Sequence, residues 1–145
     1  MDTVFNYPIL ARRLQDAAVD TLYNILYNLQ VRIPKALEWL GSSRYDLRRF
    51  PKNARQRAGY ELYLLQSGLQ PSDWKSMPSI GAGVQEIRIH TELEHRVFYV
   101  AKFEEAIHVL HAFEKKSRET ASYDLNLAKS RFSELLQRRR RRQRT

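Results

Sequence analysis

The stretch AIHVLHAF, residues 106–113, has apolar side chains on both faces of an extended chain. On one side lie Ile107 and Val109, and on the other Leu110 and Ala112. A strand that is apolar on both sides is typical of the middle of a sheet, where other elements cover it above and below. The pattern therefore predicts a central strand, and its neighbours in the chain indicate what surrounds it.

Two further strand candidates, residues 84–90 and 95–101, precede this segment. The connections between them are short enough for antiparallel hairpins, so the three segments predict a meander. In the first strand Ile87 and Ile89 share one face, while Glu86 and Arg88 share the other with His90. Because side chains alternate along a strand, one face is expected in the core and the other open.

Helical spacing of apolar residues appears before and after the meander. It predicts helices over about residues 8–30, 43–50, 51–68 and 122–138, together with a short strand at 35–40 and a loop at 70–83. The predicted fold class is α+β, with two helices before a small antiparallel sheet, a C-terminal helix after it and an extra N-terminal amphipathic helix. The predicted divisions are an extension over residues 1–32, a main domain over 33–137 and a basic tail over 138–145.

The net charge of +9 favours a polyanionic partner. Six of the cations lie in Arg138 to Arg142 and Arg144, so the body is only mildly basic. A run of like charges repels itself, and we expect this tail to be a solvated, disordered arm that strengthens attachment to a polyanion. There is no cysteine, no apolar stretch long enough to span a bilayer and no secretory signal pattern, which predicts a cytoplasmic protein.

Several kinds of catalytic site are excluded by the sequence. It contains no Gly-x-x-x-x-Gly-Lys loop, no Gly-x-Gly-x-x-Gly and no nucleophile elbow. His108 and His111 are three residues apart on a predicted strand, so we expect them on opposite faces, where they cannot chelate one metal ion. No cofactor and no metal site are predicted.

The remaining candidates are cations on or beside the meander. They are Lys75, Arg88, Arg96, Lys115 and Lys116, accompanied by His111 and Tyr99. Tight hairpins bring strand ends together, which predicts a shared phosphate site at one end of the sheet. The alternative is that these are solvated charges at strand ends.

From about Trp39 to Leu136 the sequence resembles the phage-derived branch of the RelE/HigB toxin superfamily of type II toxin–antitoxin systems. The motifs that carry the resemblance are WLGSS (39–43), LRRFP (47–51), GYELYLLQSG (59–68), DWKSMPSIGAGVQEIRI (73–89), HRVFYVAKFEEAIHVLHAFEKKS (95–117) and DLNLAKSR (124–131). The resemblance implies a small α/β fold with two N-terminal helices packed on an antiparallel sheet. It also implies ribosome-dependent cleavage of messenger RNA and neutralisation by a cognate antitoxin.

The resemblance also implies roles for particular residues. Arg96 corresponds to an arginine that contacts the scissile phosphate, and Lys115 or Lys116 to a basic residue after the last meander strand. The basic positions of the first meander strand correspond to Glu86 and Arg88, so one of them is acidic here. Some relatives use a tyrosine of the last helix; Tyr123 is about one position out of register, which favours a packing role.

Cleavage by the 2′-hydroxyl requires a base, cations around the phosphate and an acid for the leaving 5′-oxygen. Arg96 and Arg88 suit the phosphate, because a guanidinium matches two phosphate oxygens. The candidate bases are His111, Glu86 and Lys75, and the candidate acids are Lys115 and Lys116. His111 is alternatively a core histidine. Lys75 and Tyr99 are the candidate RNA-binding residues.

Two other functions stay open. One is a non-catalytic protein of the same fold that inhibits gyrase or binds RNA, and the other is an inactive toxin remnant. The N-terminal helix could fold onto the domain, form a homodimer with its own copy or occupy the groove of an antitoxin helix. Translation could also start after it.

Overall fold

The computed structural model describes residues 16–29 and 34–144. The chain divides into two compact units, Met1–Ile33 and Pro34–Thr145. In the first unit the structure describes helix α1, Asp16–Asn28, whose Leu22 and Ile25 are exposed. The other parts of the helix predicted over residues 8–30 lie outside the described residues.

The second unit is an α+β domain, which confirms the predicted fold class. Its elements, in chain order, are β1 Ala36–Trp39, α2 Ser43–Arg48, α3 Lys52–Gln66, β2 Trp74–Ser76, β3 Val84–His90, β4 Glu94–Val100, β5 Ala106–Glu114 and α4 Ser122–Gln143. The strands form one sheet in the order β1-β5-β4-β3-β2. No helix in the described part of the chain is long and apolar enough to cross a bilayer.

Strand β5 lies between β1 and β4, and every residue from Ala106 to Phe113 is buried, as its two apolar faces predict. The sheet is mixed rather than antiparallel, because β1 runs parallel to β5. No hairpin sets the direction of β1, since helices and the meander separate it from β5 in the chain. Strand β2 lies inside the segment predicted to be a loop. It has only three residues, which pair with β3 and are all exposed, so the sequence shows no hydrophobic alternation there.

Each face of the sheet has its own hydrophobic core. On the α3 face, Ile87, Val97, Tyr99 and Val109 pack with the buried side of α3, which includes Ala58 and Leu62. On the α4 face, Phe98, Leu110 and Phe113 pack with Ala128, Phe132 and Leu135 of α4. Helix α4 packs on β5. On the same face of the sheet, β3 and the start of β4 carry charged side chains, including Glu86, Arg88 and Arg96.

A β-bulge interrupts the pairing of β4 with β5. Phe98 pairs with His111 and Tyr99 with Val109, which leaves Leu110 as the extra residue. The expectation that His108 and His111 lie on opposite faces is therefore wrong. Their pairing partners, Val100 and Phe98, both belong to the α4 face. The carbonyl of the bulged Leu110 accepts a hydrogen bond of 2.9 Å from Arg131 Nη1 of α4.

Helix α4 continues to Gln143, five residues beyond its predicted end, so the expectation of a disordered arm from residue 138 is wrong for the described residues. Arg139 forms an ion pair with Glu105, and its guanidinium lies 3.6 Å from the centre of the Phe103 ring. Arg138 pairs with Glu134 one turn earlier. These contacts, and the favourable placement of cations at a helix C-terminus, offset the mutual repulsion of the arginines.

Gly41 provides a test of how α4 is held. Its φ is +54°, and a Cβ there would lie 2.6 Å from Arg131 Nε. We expect Gly41→Ala to lower the free energy of unfolding by about 1–3 kcal/mol, because both the backbone and Arg131 must shift. Urea unfolding followed by circular dichroism measures this change.

Gly59→Ala is the matched control, because nothing lies within 4 Å of a Cβ at Gly59. Gly59 lies inside α3, so alanine should raise the free energy of unfolding by about 0.5–1 kcal/mol. Equal effects of the two substitutions would contradict the close approach of Arg131 to Gly41.

Candidate functional site

On the α4 face of β2, β3 and β4, four cations surround one carboxylate. Strand pairing places Lys75 opposite Glu86 and Arg88 opposite Arg96. Directly opposed residues point to the same face of a sheet, so these side chains converge. Lys115 joins them from the end of β5, since it also acts on the charge of Glu86. We call Glu86, Lys75, Arg88, Arg96 and Lys115 the cation cluster.

Glu86 is the centre of the cation cluster and is only 4 % exposed. Its Oε1 lies 3.4 Å from Arg88 Nε and 3.7 Å from Arg96 Nε. Burial raises the pKa of Glu86, because a charged carboxylate loses hydration there, and the four cations oppose this rise. A carboxylate with a raised pKa is a better proton acceptor than an exposed one.

Arg96 holds two carboxylates rather than projecting into solvent. Its Nη1 donates to Glu94 Oε1 at 3.0 Å and to the carbonyl of His95 at 3.0 Å, while its Nε approaches Glu86. The residue is 4 % exposed. Among the cluster cations, Lys75 is exposed, and Arg88 and Lys115 are partly exposed, so these three are the ones open to a phosphate.

Three residues next to Arg96 complete the arrangement and were not singled out from the sequence as site residues. His90 Nε2 lies 2.6 Å from Asp73 Oδ2, and His90 Nδ1 lies 2.8 Å from Glu94 Oε1. These hydrogen bonds raise the pKa of His90 and lower that of Glu94. Glu94 thus links His90 to Arg96. Two features of the sequence could have identified His90 and Glu94 as site residues. Alternation along β3 places His90 on the face of Glu86, and the tight turn that follows places Glu94 opposite His90.

The structure separates the two candidate lysines. The backbone N–H of Lys115 donates to the Glu94 carbonyl at 2.7 Å, which continues the pairing of β4 with β5 by one residue. Lys115 is partly buried and close enough to influence Glu86. Lys116 is exposed and follows at the alternate position, so it lies outside the cluster.

His111 lies apart from the cation cluster. Phe98 pairs with Glu86 on one side and with His111 on the other, so the buried Phe98 lies between them. Two strand spacings separate the backbones of Glu86 and His111 by about 10 Å. His111 Nε2 lies 2.7 Å from Asp124 Oδ1, and its ring stacks on Phe113 at 4.9 Å. Burial lowers the pKa of His111. This geometry disfavours His111 as the base and gives it a structural partner in α4.

Beside His111, a cavity of about 430 Å³ opens between α2, the start of α4 and the end of β5. Asp46, Arg49 and Tyr123 are among its lining residues. Tyr123 is 72 % exposed, so the expected packing role is not observed.

Tyr99 does not belong to the site. It lies on the α3 face with 0 % exposure, and its hydroxyl donates to Gln85 Oε1 at 2.8 Å. Burial also raises its pKa. The prediction that Tyr99 contacts RNA is incompatible with this position. In the described part of the chain, no group of three or more His, Cys, Asp and Glu residues is placed to hold a metal ion.

Residues 45–133 match the family described as "Phage derived protein Gp49-like (DUF891)". The match covers more than half of the chain, and the protein therefore belongs to this phage-derived Gp49-like family. The matched segment contains α3, the complete meander, every member of the cation cluster and the start of α4. No curated protein matches the chain.

Three buried histidines predict a pH dependence of stability. Burial lowers the folded-state pKa of His95, His108 and His111, so the folded protein favours their neutral forms. Their contribution is complete above the unfolded pKa of about 6.5 and is lost as pH falls below it. We expect a lower free energy of unfolding at pH 5.5 than at pH 7.5, measured by urea unfolding.

The control uses His108, which lies outside the cation cluster. His108→Gln should reduce the difference between the two pH values, because glutamine does not titrate. His90 and Glu86 have raised pKa values and act in the opposite direction, so the comparison of variant with parent isolates the effect of His108. An unchanged pH difference in His108→Gln would contradict the assignment.

Proposed function

We propose that this protein is the toxin of a type II toxin–antitoxin system and acts as a ribosome-dependent mRNA endoribonuclease of the RelE/HigB type. The observation that carries the proposal is the buried carboxylate of Glu86 with Lys75, Arg88, Arg96 and Lys115 around it on one face of the sheet. Membership of a phage-derived family and the resemblance of its motifs to that toxin superfamily support the same class.

In the proposed reaction, Glu86 accepts the proton of a ribose 2′-hydroxyl, and the 2′-oxygen attacks the adjacent phosphorus. The bond from phosphorus to the 5′-oxygen breaks, and Lys115 gives that oxygen a proton. The products are a 2′,3′-cyclic phosphate and a 5′-hydroxyl end. Neither water nor a metal ion enters this sequence of steps, which suits a site built from side-chain cations.

The exposed cations have a different role from the buried one. Arg88 and Lys75 contact the phosphate oxygens on which negative charge develops, because their side chains reach solvent, whereas the Arg96 guanidinium is engaged by two carboxylates and a carbonyl. Arg96 keeps Glu86 and Glu94 in place through its contacts with both carboxylates. The family resemblance implied that Arg96 contacts the scissile phosphate. In the proposed mechanism, Arg96 instead positions Glu86 and Glu94, and Arg88 contacts the phosphate.

The proposed partners follow from the same surface. A cognate antitoxin with an acidic segment would cover Lys75, Arg88 and Lys115, which excludes the mRNA by competition for the same cations. The proposed place of action is the cytoplasm, where ribosomes translate the message.

A second candidate function is a non-catalytic binder of the same fold, acting on gyrase or RNA. The observation that favours it is the near-complete burial of Glu86 and Arg96, which neutralise one another. A translating extract separates the two functions. Message cut at codon boundaries supports the nuclease, whereas intact message with blocked DNA supercoiling by gyrase supports the binder.

Glu86→Gln tests the proposed base. Glutamine keeps the shape of the side chain but accepts no proton, so we expect mRNA cleavage in the extract to fall by about 10²–10⁴-fold. Association with RNA should be unchanged or tighter, since a negative charge leaves the cluster. Cleavage at the parental rate would contradict the role of Glu86.

Lys115→Ala and Lys116→Ala form a matched pair, because each removes one lysine from adjacent positions. We expect Lys115→Ala to reduce cleavage by about 10²-fold, through loss of the acid, and to relieve growth arrest on induction. Lys116→Ala should stay within about twofold of the parent, since Lys116 lies outside the cluster. Equal losses in both variants would overturn the assignment of Lys115.

A further inference from the structure

The last turns of α4 carry a row of arginines that faces away from the domain. Arg140, Arg141 and Arg144 are exposed, and none of their side chains forms an ion pair with another residue that the structure describes. We call these three residues the arginine face. At about 1.5 Å rise per residue, Arg140 and Arg144 lie roughly 6 Å apart on adjacent turns.

The opposite side of the same turns is fixed to the domain. Arg139 lies over Phe103 and pairs with Glu105. At 100° per residue, Arg140, Arg141 and Arg144 occupy an arc centred about 150° from Arg139. The helix therefore presents the arginine face to solvent on an anchored rod, rather than on a free arm.

The arginine face is separate from the cation cluster. Helix α4 begins beside the end of β5, where Asp124 contacts His111, and Arg139 lies at the connection of β4 to β5, at the other end of the sheet. Along the helix axis, about 24 Å separate Asp124 from Arg140. A short RNA in the cluster cannot reach the arginine face, but a longer one can.

The exposed side of α4 is polar over its second half. Lys129, Ser133 and Gln137 precede the arginine face and are also exposed. Protein partners usually require an apolar centre in their interface, which this surface lacks. A nucleic-acid backbone requires only regularly placed cations, because phosphate contacts position the partner without reading its bases.

We propose that the arginine face is a second RNA-binding site, which holds the phosphate backbone of RNA at a distance from the cation cluster. It binds without cleaving, and its action does not depend on the nuclease activity proposed above. RNA that extends beyond the cluster gains affinity and salt dependence from it.

The test compares two triple variants of the full chain that remove the same charge. One replaces Arg140, Arg141 and Arg144 by Gln, which is a good helix former and should preserve α4. The control replaces the exposed Arg44, Arg48 and Lys52 by Gln. The ligands are fluorescent 2′-O-methyl oligonucleotides of 4 and 24 nucleotides, in which the blocked 2′-oxygen prevents cleavage. Anisotropy measures binding over a range of salt concentrations.

For the 24-nucleotide ligand, we expect the arginine-face variant to lose at least about tenfold in affinity at low salt. The slope of log K against log salt should become shallower by about 2, since three phosphate contacts are lost. The control variant should change affinity by less than about threefold, and the 4-nucleotide ligand should bind all proteins alike.

Equal losses in both triple variants would overturn the proposal, because net charge alone would then explain binding. It also fails if the arginine-face variant binds the long ligand like the parent. A loss of affinity for a poly-glutamate peptide with unchanged RNA affinity would likewise overturn it, in favour of an acidic protein partner. None of these results depends on cleavage, so a failure here is distinguishable from a failure of the proposed nuclease.

Discussion

The burial of β5 on both faces is the constraint on which the domain depends. Its residues contribute to the α3 core on one side and to the α4 core on the other, so both helices need this strand in place. The bulge places Leu110 in the α4 core between Val109 and His111, and the Leu110 carbonyl accepts a hydrogen bond from Arg131 of α4. Because a buried carbonyl without a partner is costly, Arg131 connects the stability of α4 to that of the sheet.

The cation cluster illustrates how a sheet can keep a buried carboxylate. Glu86 loses hydration, which disfavours its charge, while the neighbouring cations restore part of what is lost. Arg96 is shared between Glu86 and Glu94, and Glu94 is shared between Arg96 and His90. The charges therefore form a chain of ion pairs, in which Arg88 Nε and Arg96 Nε face Glu86 without a hydrogen bond. The accessible cations Lys75, Arg88 and Lys115 remain at its margin, where a phosphate could approach.

Much of the fold follows from local patterns, whereas the site depends on long-range pairing. Alternation predicted β3 closely, and the two apolar faces of β5 identified it as a strand covered on both sides, although β4 is the middle strand of the sheet. It failed for His111, since one extra residue reverses the faces after Val109. The end of α4 was missed because Arg139 is stabilised by Phe103 and Glu105, which are distant in sequence. The choice of Lys115 over Lys116 likewise required the pairing with Glu94.

The bulge has a consequence for which insertions and deletions the gene can accept. In a regular strand, composition is the main restriction, and a conservative exchange is usually tolerated. At the bulge, however, Val109 and His111 pair with adjacent residues of β4, so Leu110 is the one residue that the ladder does not require. Removing its codon would leave Phe113 and Lys115 on their present face, but it would take the Leu110 side chain from the α4 core and its carbonyl from Arg131. Removing a codon within the regular part of β4 would instead reverse the faces of the residues that follow.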